Sequence, residues 1–167
     1  FPGKMELCYS PIPRSIVEKI RIERRDDFGH EVRVSMAGET GYGPCRCCLR
    51  QFQPGEKRLL FSYAPVGGDN PYDEVGPVYI HEACAAYDQP NRFPAEVKSG
   101  RLPIRLVLRS YNADREMIAA QFVRNNEEVE EVLQEVFHHP EVSFVHIRNA
   151  IFQCFIAAVR RNQGTGS

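Results

Sequence analysis

The stretch RLLFSYAPVGGDNPYDEVGPVYIHEAC, residues 58–84, decides how the chain is read. Residues 58–63 carry a strand signal in which Leu59, Leu60 and Phe61 run on without a break, a pattern that suggests burial on both faces. Residues 64–77 hold three prolines, three glycines, two aspartates and an asparagine, so they form a long loop. Residues 78–81 make a second short strand. An antiparallel return brings His81 back beside the start of the first strand. Just upstream lie Cys45, Arg46, Cys47 and Cys48. Cys45-x2-Cys48 and His81-x2-Cys84 are therefore two candidate half-sites for one ion. A pair two residues apart can grip one metal from a turn, and zinc takes four soft or borderline ligands in a tetrahedron.

Working outward, the chain has 167 residues, enough to bury a core without disulfide staples. Hydrophobic residues make up 43% and charged residues 26%, an ordinary globular composition. The 21 basic and 22 acidic residues leave a net charge of −1, which gives no whole-protein attraction to nucleic acid or to an anionic membrane. No apolar run approaches a membrane span. The first residues show no secretory signal, although Phe1 is not an initiator. A cytoplasmic location with reduced thiols is expected, and the crowded cysteines read as ligands rather than as a disulfide framework. Cys8, standing apart from them, reads as a small buried residue.

Residues 125–138 give the clearest element. Val129, Val132, Leu133, Val136 and Phe137 share one helical face. Asn125 and Glu128 resemble a capping box, glutamates crowd the first turn, and His138, His139 and Pro140 end the helix. The two histidines point apart on a helix and read as its terminus, not as ligands. A shorter helix is expected at 15–22, with Ile16, Val17, Ile20 and Arg21 at helical spacing. Arg21, Arg24, Arg25, Asp26 and Asp27 read as its solvated end. Strands are expected near 5–9, 31–34, 104–111, 117–123, 142–147 and 153–159, with a single helical turn at 82–87. Residues 90–103 read as a connector. Strands and helices do not alternate as βαβ units. The fold class is therefore α+β, a mostly antiparallel sheet of about six strands with two helices. One domain is expected over residues 1–160, with a metal-binding insert at 43–87 and a disordered tail at 161–167.

Three readings of the cysteine group stay open. Zinc held by Cys45, Cys48, His81 and Cys84 would be structural, because a closed Cys3His set leaves no position for water. Buried thiols with a satisfied histidine are the second. The third is a thiol-dependent redox protein or small enzyme using Cys45 and Cys48 with His81, which would need an orienting carboxylate such as Glu82 or Asp73. Arg46, Arg50, Lys57 and Arg58, with Tyr42, Phe52 and Tyr63, leave a nucleic-acid-binding face as a lesser reading. Tyr63, Tyr72, Tyr79, His146, Arg148 and Asn149 are alternative pocket-lining residues.

Two resemblances add to this. The segment CRCCLRQFQPGEKRLLFSY with VYIHEAC is similar to the long-spaced zinc finger of poly(ADP-ribose) polymerases, which binds DNA ends. The gap here is longer, and the tryptophan usual before that family's histidine is absent. More widely, GPCRCCLRQFQPGEKRLLFSYAP, NPYDEVGPVYIH, LRSYNADREMIAA and PEVSFVHIRNAIFQCFIAAV resemble DUF1203, a bacterial family of uncharacterised function. That likeness implies no activity. It also implies that many members carry other residues at the positions of Cys48, His81 and Cys84, so a metal would belong to a subset. A zinc-stabilised binding or accessory module of unknown partner is the function expected.

Overall fold

A computed structural model describes residues 3–39, 43–99 and 105–162. Tyr42, Ile104 and the end of the chain from 163, on which parts of the expectations above fall, lie outside them. The strands are β1 (Leu7–Ser10), β2 (Arg33–Met36), β3 (Lys57–Tyr63), β4 (Gly76–His81), β5 (Leu106–Tyr111), β6 (Met117–Val123), β7 (Phe144–Asn149) and β8 (Phe155–Arg161). The helices are α1 (Arg14–Glu23), α2 (Ala95–Ser99) and α3 (Val129–Phe137). The class is α+β, and every strand pairing between these elements is antiparallel. The strands form two sheets rather than one: β1-β8-β7-β5-β6 and β2-β3-β4. The connection from β4 to β5 is interrupted by Pro90 and Pro94 and by α2, so the smaller sheet cannot continue into the larger one. Among the described residues no helix is long and apolar enough to cross a membrane.

The large sheet is covered on both faces. Leu133, Val136 and Phe137 of α3 pack on Leu106, Leu108, Val145, Ile147, Ile156 and Val159. On the other side Phe155 and Ala158 join Ile12, Val17, Ile20, Phe52, Leu59, Phe61 and Ile80. Double coverage removes the alternation that marks a half-buried strand. This is why 153–159 has a composition that would suit a helix as well, and why β5, expected to be half-buried, is buried almost throughout. The reverse holds for β3. Leu59 and Phe61 are buried while Leu60 is only partly covered, so one face is buried and not two.

Other differences have local causes. Asn125 does cap a helix start, but its side chain accepts from the Glu127 N–H at a short 3-10 turn that precedes α3. Pro94 opens α2 inside the expected connector, and Val97 buries its one apolar face. Residues 82–87 make no helical turn. The Tyr87 N–H donates to the Cys47 carbonyl at 2.9 Å, which holds this segment extended along the cysteine loop. Cys8 is half-buried rather than buried; Leu7 and Tyr9 are the β1 residues in the core. β8 continues to Arg161, paired with Leu7, so the chain is regular beyond the start expected for the tail.

Two charged groups fasten these parts. Asp26 is buried, not solvated. One carboxylate oxygen accepts from the Phe28 and His30 N–H groups at 2.9 and 3.0 Å. The other accepts from the Ser62 N–H at 2.9 Å and from the His30 ring at 3.1 Å, tying the turn after α1 to β3. Arg46 is buried too. It donates through Nε to the Phe155 carbonyl at 2.7 Å and through Nη1 to the Pro44 carbonyl at 2.6 Å. It therefore lies inside the fold rather than on a basic face.

Burial alone would raise the Asp26 carboxyl, but the N–H groups of Ser62, His30 and Phe28 outweigh it and hold the carboxylate below its ordinary value. A lowered folded pKa contributes stability above the ordinary carboxylate range, and that stability is lost as pH falls. Asp26 should therefore weaken the fold from about pH 4 downward. Asp26→Asn should lower stability at neutral pH by about 1–3 kcal/mol and flatten that acid limb, both read by urea unfolding across pH. Arg46→Leu should lower the urea midpoint by a loss also of about 1–3 kcal/mol, because two buried carbonyls lose their donor.

Candidate metal centre

The Cys-x2-Cys half is a turn closed by the Leu49 N–H on the Cys45 carbonyl at 2.8 Å, with Leu49 at φ +59°. That backbone turns both thiols to one side. The second half arrives on β4, whose last residue, His81, lies across from Arg58 of β3. Its own N–H donates to the Cys45 Sγ at 3.2 Å, and the Cys47 N–H reaches the same sulfur at 3.4 Å. Such N–H to sulfur bonds favour the thiolate form.

The four side chains named from the sequence come together. The ligand atoms of Cys45, Cys48, His81 and Cys84 all lie within 4.8 Å of one another. The Cys45 and Cys84 sulfurs are 4.0 Å apart, and the Cys48 Sγ is 3.4 Å from the His81 Nδ1. Metal–sulfur bonds of about 2.3 Å in a tetrahedron place neighbouring sulfurs about 3.8 Å apart, so the donor set has the dimensions of a metal site. Cys45, Cys48 and His81 are buried, and Cys84 is partly so.

Around this group stand residues whose part the sequence did not disclose. Glu56, on the Pro54-Gly55 turn, accepts from the His81 Nε2 at 2.9 Å and from the Gln53 N–H at 2.7 Å. A carboxylate oxygen only accepts, so Nε2 carries the proton and Nδ1 turns toward the sulfurs. Histidine ligands to metals are commonly oriented by a carboxylate in this way. The orienting carboxylate is thus Glu56, neither Glu82 nor Asp73. Glu82 pairs with Arg24 at 3.3 Å, and Asp73 accepts from the Gly67 N–H.

Arg21 is the second. Read as part of a solvated helix end, it instead leaves α1 to donate to the Cys84 Sγ at 3.2 Å and to the His81 carbonyl through Nη2 at 3.0 Å. The signal available was its place beside Val17 and Ile20 on the apolar face of the helix. Arg50 is exposed and is raised, first by its bond to Cys48. Arg58 stacks over the Tyr79 ring at 4.4 Å.

The electrostatics of the group favour one thiolate. Hydrogen bonds from Cys45 and Cys84 hold Cys48 far below the usual thiol range, while burial first and Cys48 next push the Cys45 thiol up. For Cys84 the bond to Cys45 lowers, but Cys47, Cys48 and burial outweigh it and raise the thiol. Of these three sulfurs Cys48 is the one favoured as a thiolate. Burial works against charge on the His81 imidazole, yet Cys45, Cys48 and Glu56 raise it to about 10. A divalent ion would let all three sulfurs ionise together.

Phe52 packs on the His81 ring with centroids 4.4 Å apart, whereas Tyr63, His146, Arg148 and Asn149 do not converge here. Asn149 caps its own turn, its side chain accepting from the Ile151 and Phe152 N–H groups. Tyr63 meets Phe155 edge-on, and Tyr79 packs on Phe52. His146 and Arg148 lie on the large sheet.

No curated protein and no solved structure matches the chain. The family model described as "Protein of unknown function (DUF1203)" matches residues 42–161, a span that takes in both half-sites and every strand from β3 to β8. On that coverage the chain belongs to the DUF1203 family.

Proposed function

We propose that Cys45, Cys48, His81 and Cys84 hold one zinc ion in a closed structural site, and that the protein is a binding or accessory module organised by it. The observation that carries this is the meeting of four donor atoms from two distant segments within 4.8 Å of one another. Three sulfurs and one imidazole suit zinc better than a harder ion, which would want oxygen ligands. Bound there, the metal would join the cysteine turn to the end of β4 and neutralise the thiolates. Glu56 would hold His81 in its ligating orientation, and Arg21 would offset the remaining negative charge. With all four positions filled by protein, the ion contributes folding energy rather than catalysis. In this reading the segment 43–87 is a metal-organised part of one domain. The complete burial of Cys45 weighs against its use as an attacking thiol in the competing redox or small-enzyme reading, whereas Cys48 lines a cavity with Arg50, Tyr87 and Glu96.

Protein purified without added zinc should carry about one equivalent by mass spectrometry of the metal, and in a variant with Cys8 and Cys154 changed to Ser the remaining thiols should react with a disulfide reagent only after a chelator is added. Chelation should also lower the unfolding temperature. A metal-free form of that variant with a fast-reacting Cys45 or Cys48 would replace this reading by thiol chemistry. Glu56→Gln keeps the fold, as Glu56 lies on an exposed turn, but should weaken zinc affinity about 10–100-fold in a competition titration with a chromophoric chelator.

A further inference from the structure

A second constellation lies on the face of the large sheet turned away from α3, and it shares no residue with the cysteine group. Register puts Arg109 across from His146 and Tyr111 across from Phe144, while Arg148 pairs with Val107 on one side and Phe155 on the other. Arg109, Tyr111, His146 and Arg148 therefore share one face. The last three are 0%, 1% and 5% exposed. Each has a buried polar atom without a hydrogen bond of good geometry: the His146 Nδ1, the Nε and Nη2 of Arg148, and the Tyr111 hydroxyl, which interacts with the Arg148 guanidinium.

The Arg148 pattern is the informative one. Its Nη1 donates to the Gln153 carbonyl at 2.8 Å. The two nitrogens left over form the side-on fork of the guanidinium, whose parallel N–H groups match the two oxygens of a carboxylate or a phosphate. Buried polar groups are nearly always paired, so orphans on three adjacent side chains ask for a shared partner. That partner should be negative. Arg109 stands beside them, and Arg160 lies over the Phe144 ring at 4.9 Å. The carboxylate that meets this cluster is Glu74, from the loop between β3 and β4, which accepts from the Arg109 Nη1 at 2.7 Å and is half exposed. The same loop sends Val66 onto Tyr111 and Phe144 and so covers the cluster. His146 is wedged among Tyr111, Phe144 and Phe155, with ring centroids 5.0–5.1 Å away. Burial, then Arg148, Arg160 and Arg109, push it down to about 3, so at neutral pH it is an uncharged hydrogen-bonding group.

We propose that Arg148, Tyr111 and His146 form an oxyanion pocket, taking the carboxylate or phosphate group of a small ligand on the Arg148 fork, with Arg109 as second cation and Glu74 as the counterion the ligand displaces. Gln153 serves as the positioning residue for both arginines, through its carbonyl to Arg148 and its side chain to Arg109.

The test is calorimetric titration of the full chain with inorganic phosphate and, separately, with acetate, in low-salt buffer up to about 10 mM ligand. Saturable binding is expected for at least one probe. Phosphate alone identifies a phosphorylated ligand, acetate alone a carboxylic acid. Arg148→Lys keeps the charge and removes the fork, and should weaken binding about tenfold or more. Glu74→Gln frees Arg109 and should tighten it, and because Glu74 is a loop residue this variant reads out even where Arg148→Lys fails to fold. Absence of binding by both the native chain and Glu74→Gln, or affinity indifferent to Arg148→Lys in a folded protein, overturns the pocket.

Discussion

A group of four donor atoms drawn from two segments needs a scaffold that fixes the distance between them, and here that scaffold is the antiparallel pairing of β3 with β4. The register Arg58↔His81 decides where the imidazole arrives. A slip of one residue would send His81 to the opposite face of the sheet and put Ile80 in its place. Ile80, Leu59 and Phe61 are buried against α1 and the cysteine loop, so slippage would expose them. The apolar core thus enforces the register, and the register assembles the donor group. The His81 N–H to the Cys45 sulfur closes the arrangement at backbone level, independently of any ion.

What sequence disclosed and what it hid follow from this. Spacing and an alternating or helical period are local properties, and the features that depended on them were legible: α3, the β5–β6 hairpin, the outgoing and returning strands, and the two half-sites. Contacts that depend on where a long side chain ends were not. Arg21 and Arg46 looked like surface charge because arginine normally is. One crosses from α1 to the Cys84 sulfur, and the other runs inward to the Phe155 carbonyl. Asp26 misled for the same reason, since nothing in its neighbours foretells that Ser62 will present an N–H to it. The division into two sheets was hidden because strand signals carry no label for which sheet they join. Burial on both faces, expected for β3, belongs instead to β5, β7 and β8.

The two charged constellations meet at one residue. Phe155 packs in the core beside Cys45 and Cys48, and its ring also stands edge-on to His146. Its carbonyl receives Arg46, the residue between Cys45 and Cys47. β8 is therefore a shared wall, with its backbone anchoring the cysteine loop and a side chain bounding the cationic face. Order in the loop and order in that face are supported by the same strand.

Why a protein with an adequate hydrophobic core would keep four ionisable ligands in it is a question of local geometry. The cysteine loop is a turn rather than a strand, closed by the Leu49 N–H on the Cys45 carbonyl and the Cys45 N–H on the Arg50 carbonyl. It is held by the Arg46 bridge, by the Tyr87 N–H on the Cys47 carbonyl, and by the Arg46 N–H on the Tyr79 carbonyl at 3.0 Å. Segment 82–87, which follows β4, is irregular as well. The cysteine loop buries Cys45, Cys47, Cys48, Leu49 and Phe52, but residues 82–87 are exposed or only partly covered, so the segment after β4 would open more readily on its own. A four-point link between them would supply what a sheet or helix otherwise provides. It would do so where the small sheet, α1 and β8 come together, and where disorder in either segment would uncover the core containing Leu59, Phe61 and Ile80.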